Sequence, residues 1–455
     1  MKRPLKYSLI ALAMILIYIL GSLVVPPAIH PEAGAVTLPE MATGERVACI
    51  DDNVDALIWR IRMIEAAQEE LVLSTFEFGT GRSGQDMMSA LYAAAKRGVT
   101  VKILLDGYNG GETVASNDFR GLATLPNVEV RIYNELNLLT LWDANFRMHD
   151  KFVIVDDEMY MLGGRNTNDL FLGDYSATPN IDRDILVCNT GADGSLGQVR
   201  DYFLKIWEED ECVPYAYGDT DGVEQDRQRL QSHYEGLKTS YPTAFGFTDW
   251  QSATVEARGV SLICGDVQAS GKAPVVWKQM CAYMEQGEEV LIQTPYVICD
   301  DEMYGDLTGI VSGGTQVDIL TNSPGTGANP FGCTDLRNQR QNILDTGANV
   351  LEFAGEHSLH SKTVLIDDNI SMVGSFNMDM RSAYIDTETM LVIDCPELNA
   401  HLRGQMDEMA QQSVRTAADG TRTEGSSYEK QDLGFWKSLA YALLGLVGCI
   451  IRHLM

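Results

Sequence analysis

The stretch HDKFVIVDDEMYMLGGRN, residues 149–166, decides the fold, because its pattern returns at residues 360–377 as HSKTVLIDDNISMVGSFN. In both copies a histidine is followed by a lysine two residues later and by an aspartate seven residues later. A glycine and an asparagine then stand at the same spacing in each copy. Two copies of one unit predict two half-sites that meet across a pseudo-twofold axis.

Similar elements surround the two copies. Apolar residues at helical spacing predict a helix over 54–70, followed by a strand over 71–76. The second half offers a helix over 275–286 and a strand over 289–294. Each half continues with a helix, two strands, the motif as a hairpin with its turn at Asp156 or Asp367, and a last strand and helix. This alternation predicts an α/β fold of two tandem repeats, each a mixed sheet flanked by helices.

The N-terminal end is apolar over residues 7–25 and is preceded by Lys2, Arg3 and Lys6. This length is close to the roughly 20 residues of a membrane-spanning helix. We therefore expect residues 1–28 to form a transmembrane anchor in the cell membrane, with the main body outside the cytoplasm by the positive-inside rule. A cleaved signal peptide, with a cleavage site at residues 33–35, is the alternative.

Residues 435–455 form a second apolar segment. Its core, residues 438–451, is short for a membrane span, and Trp436 and Arg452 flank it as in an interfacial helix. A helix packed on the protein core is the alternative. The domain prediction is then a first half at 46–215, a connection at 216–253, a second half at 254–415, a linker at 416–434 and a C-terminal apolar helix.

The composition restricts the possible substrates. A formal net charge of −30 argues against broad nucleic-acid binding, which requires clustered Lys and Arg. Local positive charge is still available near the motifs, at Arg147, Lys151, Arg165, Arg183, Lys362 and Arg381. The nine cysteines are scattered and form neither a disulfide framework nor a zinc motif, so we expect no metal and no cofactor.

The residue types of the motif suit attack on a phosphodiester. Lysine and amide donors would offset the negative charge of the phosphoryl oxygens, and the candidates are Lys151, Lys362, Asn166, Asn377 and Ser375. A neutral histidine can attack phosphorus, and a second, protonated histidine can donate a proton to the leaving alcohol. A carboxylate should orient each ring. The candidates for this role are Glu388 and Asp184, with Asp182 as an alternative to Asp184.

Together these motifs resemble those of the phospholipase D superfamily. Residues 147–151 (RMHDK), 163–166 (GGRN), 293–296 (QTPY) and 374–382 (GSFNMDMRS) are similar to bacterial cardiolipin synthases of the phospholipase D type. The resemblance implies two tandem phospholipase D-like repeats, with His149 as the nucleophile and His360 as the acid and base. It implies a catalytic set of His149, Lys151, Asp156, His360, Lys362 and Asp367, although we expect the two aspartates to brace the motif turns.

The resemblance also implies a function. It favours a membrane-anchored phosphatidyltransferase that converts two phosphatidylglycerol molecules into cardiolipin and glycerol through a phosphatidyl-histidine. The alternatives are a phospholipase D that forms phosphatidic acid with water and, less favoured by the charge, a nuclease. A lipid-binding module with an inactive site is disfavoured because both motifs are intact. The implied partners are a phospholipid substrate and a membrane, with no nucleic acid; the acceptor and the oligomeric state stay open.

Overall fold

Two nine-stranded sheets, each built mainly from one half of the chain, form the body of the protein. The computed structural model describes residues 3–188, 191, 193–218, 220–431 and 433–455. The strands are β1 Arg46–Ile50, β2 Glu70–Thr75, β3 Thr100–Asp106, β4 Val128–Tyr133, β5 Phe152–Val155, β6 Met159–Gly163, β7 Asp184–Cys188, β8 Cys212–Pro214, β9 Val255–Glu256, β10 Gly259–Cys264, β11 Glu289–Gln293, β12 Val297–Ile298, β13 Gln316–Asn322, β14 Asn349–Phe353, β15 Thr363–Ile366, β16 Ile370–Gly374, β17 Met378–Asp379, β18 Thr389–Asp394, β19 Ser413–Thr416 and β20 Arg422–Glu424. The α-helices are α1 Arg3–Val24, α2 Asn53–Ala66, α3 Arg82–Arg97, α4 Gly111–Ala115, α5 Asn117–Ala123, α6 Ser195–Glu208, α7 Val223–Ser240, α8 Val275–Met284, α9 Asp301–Ser312, α10 Pro330–Asp345, α11 Met380–Tyr384, α12 Pro396–Gln411 and α13 Gly434–Ile451.

The strand order of the two sheets supports the internal repeat. The first sheet runs β8-β4-β3-β2-β5-β6-β7-β1-β9. The second, read from β19, runs β19-β14-β13-β11-β15-β16-β18-β10, so eight strands follow one another in the same order. In both sheets three neighbouring strands are parallel and the motif strands are antiparallel. The predicted mixed α/β architecture is therefore correct.

The motif hairpins are fixed at their turns. Asp156 and Asp367 have left-handed backbone angles, with φ of 49° and 47°, at the turns that join β5 to β6 and β15 to β16. The Asp156 carboxylate accepts backbone N–H groups at the start of β2, including that of Glu70 at 2.8 Å. Asp367 accepts the N–H of Glu289 at 2.9 Å in the same way. Both aspartates therefore tie a motif hairpin to the neighbouring strand, as expected.

The two sheets share a core. One cluster of buried side chains draws Ile154 and Leu162 from the first sheet and Leu365 and Val373 from the second, and α6 and α12 contribute to it. Separate clusters lie under α2 and α3 in the first half and under α8, α9 and α10 in the second. Burial of apolar side chains from both halves in one cluster holds the two motif hairpins against each other.

Two segments are more ordered than the sequence suggested. The connection at 216–253 contains α7, whose buried Leu230 and Leu237 join the core of the first half. The polar segment at 416–434 contains β20, which pairs with β19 at the edge of the second sheet. The helix α10, which the sequence analysis missed, lies between β13 and β14.

The prediction of a transmembrane helix within residues 1–28 is wrong. A span needs about 20 apolar residues in one continuous helix. Among the helices that the structure describes, none is both long enough and apolar enough to meet this requirement. The residues before Arg3 lie outside the described part of the chain, so the basic flank at Lys2 is not part of this comparison.

The C-terminal helix α13 packs against α10. Directly after it, Arg452 forms an ion pair with Asp335 on α10, with 2.8 Å between Nε and Oδ1. The backbone carbonyl of Met455 accepts the N–H of Arg381 at the start of α11. The far end of α13 is more open, since Phe435 and Trp436 are exposed. The end of α13 is thus attached to the second half, as in the alternative of a helix packed on the core.

Candidate active site

Each motif histidine lies beside a segment of the opposite half. Met148 pairs with Thr387, and Ile181 pairs with Leu359, in two isolated parallel bridges. The N–H of His360 donates to the Ile181 carbonyl at 2.7 Å, and the N–H of His149 to the Thr387 carbonyl at 3.3 Å. These backbone contacts place the residue after each bridge, a carboxylate from the other half, next to each imidazole.

The side chains of the two halves also contact each other. The Nδ1 atom of His149 lies 2.9 Å from Oε1 of Glu388, and Nδ1 of His360 lies 2.6 Å from Oδ2 of Asp182. A carboxylate at Nδ1 fixes the tautomer with the proton on that nitrogen and leaves Nε2 for chemistry. Both histidines are therefore oriented by the half of the protein to which they do not belong.

Burial, and then the neighbouring lysines, favour the neutral form of both histidines. Burial lowers the pKa of His149 well below its ordinary value, and the neighbouring Lys151 lowers it further. Burial and then Lys362 lower the pKa of His360 to about 4, although Asp182 opposes this change. A neutral imidazole with a free Nε2 is the form that can attack phosphorus.

The two motif lysines are buried beside the histidines. Burial lowers the pKa of Lys151 to about 7 and that of Lys362 to about 8, against the opposing effects of Glu388 and Asp182. The Nζ atom of Lys362 lies 3.2 Å from Nε2 of His360, and Lys151 donates to the His149 carbonyl. An anion bound at this point would raise both pKa values again, because a negative charge favours the ammonium form.

A cavity of about 390 Å³ opens at His149. Its lining includes Asn377, Arg147 and Tyr296, so residues of both halves face it. The Oδ1 atom of Asn377 is buried and finds no hydrogen-bond partner within the described residues, and the same is true of Asn166. A phosphoryl oxygen would be bound by the Nδ2–H groups of these amides, so the phosphate contacts expected of both asparagines stay a prediction.

Ser375 has a different position from the one expected. It is fully buried, and its hydroxyl donates to Oε2 of Glu388. Ser382 donates to Oε1 of the same carboxylate at 2.5 Å. Two hydroxyl donors hold the Glu388 carboxylate in place for His149, so the structure makes Ser375 a positioning residue rather than a phosphate ligand.

The prediction that Asp184 orients a histidine is wrong, and Asp182 has that position instead. Its Oδ2 atom lies 3.0 Å from Nη1 of Arg60 and 3.1 Å from Nη1 of Arg165, all deeply buried. Asp184 is the first residue of β7, and its contacts among the described residues are with these guanidinium groups rather than with a histidine. Asp182 lies before the strand, beside the bridge at Ile181, and takes the orienting position.

Because of this difference, Asp184→Ala should destabilise the fold. It would leave Arg60 and Arg165 buried without their carboxylate, at a cost of about 3–5 kcal/mol. Chemical unfolding in urea would measure this loss. Asp118→Ala, which removes an exposed ion pair with Arg229, is the control and should cost no more than about 1 kcal/mol. Equal stability of the two variants would contradict this assignment of Asp184.

Several residues of the site were not found by sequence reasoning. Phe76 packs edge to face on His149, with 4.9 Å between ring centroids, and Phe171 does the same on His360 at 4.8 Å. Thr387 donates to the buried Asp150. Phe76 could have been found from the sequence, because it directly follows β2, the strand next to the motif hairpin.

One group of side chains has the composition of a cation site. Ligand atoms of Cys49, Asp51 and His401 lie within 4.8 Å of one another. The Asp51 carboxylate already forms an ion pair with Arg183, at 3.2 Å, and accepts a hydrogen bond from Gln405 at 2.7 Å. A guanidinium at this carboxylate disfavours a cation, and we interpret the group as a contact between β1 and α12 of the two halves.

Comparison with known proteins assigns the site to a family. The model of the family described as cardiolipin synthase, PLD-like domain, matches residues 60–207 and 280–410 and so contains both motifs. The chain belongs to that family. This confirms the resemblance to the phospholipase D superfamily and supports an enzyme, with the two histidines at the place where the family model matches.

Individual relatives are distant. Cardiolipin synthase C of Escherichia coli (strain K12) is 26% identical over 391 residues, which cover 77% of this chain and 81% of that protein. An uncharacterized protein of Helicobacter pylori (strain ATCC 700392 / 26695) is 26% identical over 420 residues, 83% of this chain and 82% of its own. The crystal structure of phosphatidylserine synthase from Haemophilus influenzae Rd KW20 has a TM-score of 0.60 at 15% identity and covers 90% of this chain and 94% of its own, a likeness of fold alone.

Proposed function

We propose that this chain is a phosphatidyltransferase that joins two phosphatidylglycerol molecules into cardiolipin and glycerol. One observation carries the proposal: two motif histidines, each held at Nδ1 by a carboxylate of the opposite half, in a member of the cardiolipin synthase PLD-like family. Such a pair supplies a nucleophile and a separate acid and base, which transfer of a phosphoryl group through a covalent intermediate requires.

In the first step, Nε2 of His149 attacks the phosphorus of one phosphatidylglycerol. A P–N bond forms as the bond between phosphorus and the glycerol oxygen breaks, and that oxygen keeps the electron pair. His360 gives its Nε2 proton to the oxygen, so that glycerol leaves as a neutral alcohol. The phosphodiester charge beside His360 favours the protonated ring, against the effect of burial.

In the second step, the hydroxyl of another phosphatidylglycerol gives its proton to Nε2 of His360 and attacks phosphorus. The P–N bond breaks, its electron pair returns to His149, and cardiolipin is released. Lys151, Lys362, Asn166 and Asn377 offset the charge that builds up on the phosphoryl oxygens in both steps. Water in place of the second lipid would give phosphatidic acid by the same route.

Incubation of the purified protein with phosphatidylglycerol vesicles tests the proposal. We expect mass spectrometry to find cardiolipin and free glycerol in equal amounts. Phosphatidic acid without cardiolipin would instead identify a hydrolase. No lipid product, with turnover of a nucleic-acid substrate, would identify a nuclease and overturn the proposal.

The lysine pKa values predict an alkaline limit of activity. Phosphate binding needs the ammonium form, and Lys151 and Lys362 lose it as the pH rises through about 7 and about 8. The ratio kcat/KM should therefore fall above about pH 7, whereas kcat should fall at higher pH because bound phosphate raises both pKa values. A pH–rate profile measures both. An alkaline limb at the same pH in both profiles would contradict the effect of bound phosphate.

A further inference from the structure

An exposed apolar loop lies beside the cavity of the candidate site. Residues 136–142, LNLLTLW, connect β4 to the first motif and carry no charged side chain. Leu138 is 74% exposed, Leu139 79% and Trp142 48%, and Leu136 is also exposed. Single exposed leucines are ordinary on protein surfaces, but several within seven residues form a patch that water solvates poorly. This patch, residues 136–142, is called the apolar loop below.

The apolar loop has a defined conformation. The side-chain amide of Asn134 donates to the carbonyls of Asp143 and Phe146, both at 2.8 Å, and so closes the base of the loop. The Asn137 carbonyl accepts the N–H of Thr140 at 3.1 Å. The hydroxyl of Tyr18 on α1 also donates to the Leu139 carbonyl at 3.1 Å, and Leu138 and Leu139 remain exposed beside it.

The apolar loop continues into the cavity. Asn145 and Arg147, which follow it, line the cavity together with His149. Tyr108, 66% exposed, lines the same cavity from the loop after β3. A substrate that enters the cavity therefore passes an edge with exposed leucine, tryptophan and tyrosine side chains.

We propose that the apolar loop and Tyr108 insert into the surface of a phospholipid bilayer, so that the cavity opens onto the headgroup layer. The inference rests on the proposed phospholipid substrate. Leucine, tryptophan and tyrosine are the side chains that partition into the interfacial layer of a membrane. The charges at the loop, Glu135 and Asp143, are acidic, and the chain carries −30 overall, so attraction to anionic lipid contributes little. Binding then depends on apolar burial and should not weaken as salt is added, because salt screens only the repulsion between the acidic protein and anionic lipid.

Vesicle flotation tests the proposal with the variant L138S/L139S. Both side chains are exposed, so the double substitution leaves the fold intact. We expect binding to vesicles of phosphatidylglycerol and phosphatidylcholine to fall about tenfold or more. Phe247→Ser, which removes the most exposed large apolar side chain of the described residues at 97%, is the matched control and should bind like the parent protein. Loss of binding in F435S/W436S on α13 instead would overturn the proposal.

Activity provides an independent readout. L138S/L139S should lose turnover on vesicles about tenfold and keep turnover on a short-chain phosphatidylglycerol dissolved as monomers. Equal losses on both substrates would mean that the apolar loop supports the site itself, and would overturn the proposal. A parent protein that dimerises through this loop, with L138S/L139S monomeric in sedimentation, would also overturn it. If the parent protein turns over neither substrate, the proposed function fails. Vesicle flotation still tests whether the apolar loop inserts into the membrane.

Discussion

Replacing His149 by alanine is expected to abolish turnover of phosphatidylglycerol, with a loss of about 10⁴-fold or more. The substitution removes the atom that forms the bond to phosphorus, and Glu388 and Lys151 have no nucleophile to orient or assist. Cardiolipin production followed by mass spectrometry measures the effect. His357→Ala is the matched control, because His357 lies three residues before His360 and outside both motifs.

A second substrate separates the roles of the two histidines. A phosphatidyl ester of nitrophenol has a leaving group that departs without a proton. On this substrate His360→Ala should release one nitrophenolate per protein molecule and retain a covalent lipid adduct, since this leaving group needs no acid and the second step lacks its base. His149→Ala should give neither. An adduct that forms without His149 would reverse the assignment of nucleophile and acid.

The second large loss of activity is expected when Glu388 or Asp182, the carboxylates that contact the two histidines, is neutralised. Glu388→Gln keeps the size of the side chain but removes the charge that holds the proton on Nδ1 of His149, so kcat should fall about 10³-fold. Asp182→Asn should do the same through His360. In both variants KM should change much less than kcat, because neither carboxylate is expected to contact the substrate.

Double variants show whether each carboxylate acts through its histidine. Once His149 is alanine, adding Glu388→Gln should cost no further activity, because residues that act as a unit are strongly non-additive. A further loss of the same size as in the single variant would assign Glu388 a separate role. Thermal unfolding of Glu388→Gln beside the parent protein checks that the fold survives the loss of one partner of Ser375 and Ser382.

The repeat was the part of the structure that could be predicted. The two copies of the motif predicted the two mixed sheets, and the spacing of Asp156 and Asp367 predicted the hairpin turns at which both carboxylates brace the backbone. These features depend on local chemistry: alternation of apolar strands, turn residues and a short carboxylate near a strand end. The helix α10 and the order in the connection at 216–253 were missed because their helical pattern is weak and polar.

The structure of the two ends of the chain could not be predicted from their sequence. Residues 7–25 have the composition of a membrane span, yet no helix among the described residues is long and apolar enough for one. The short C-terminal segment was ambiguous between a membrane interface and the protein core. The ion pair of Arg452 with Asp335 attaches its end to the second half, through a residue 117 positions away in the chain.

The sequence by itself determined the candidate residues of the site: two histidines, two lysines and two asparagines in one repeated pattern. Only the tertiary structure decided which carboxylate serves which histidine. Asp182 and Asp184 are two residues apart, and the spacing alone favours neither. The bridges from Met148 to Thr387 and from Ile181 to Leu359 bring Glu388 to His149 and Asp182 to His360, whereas Asp184 is held by two buried arginines. Such an exchange between halves depends on contacts far apart in the chain, because it forms only when both sheets bury their apolar faces in one core.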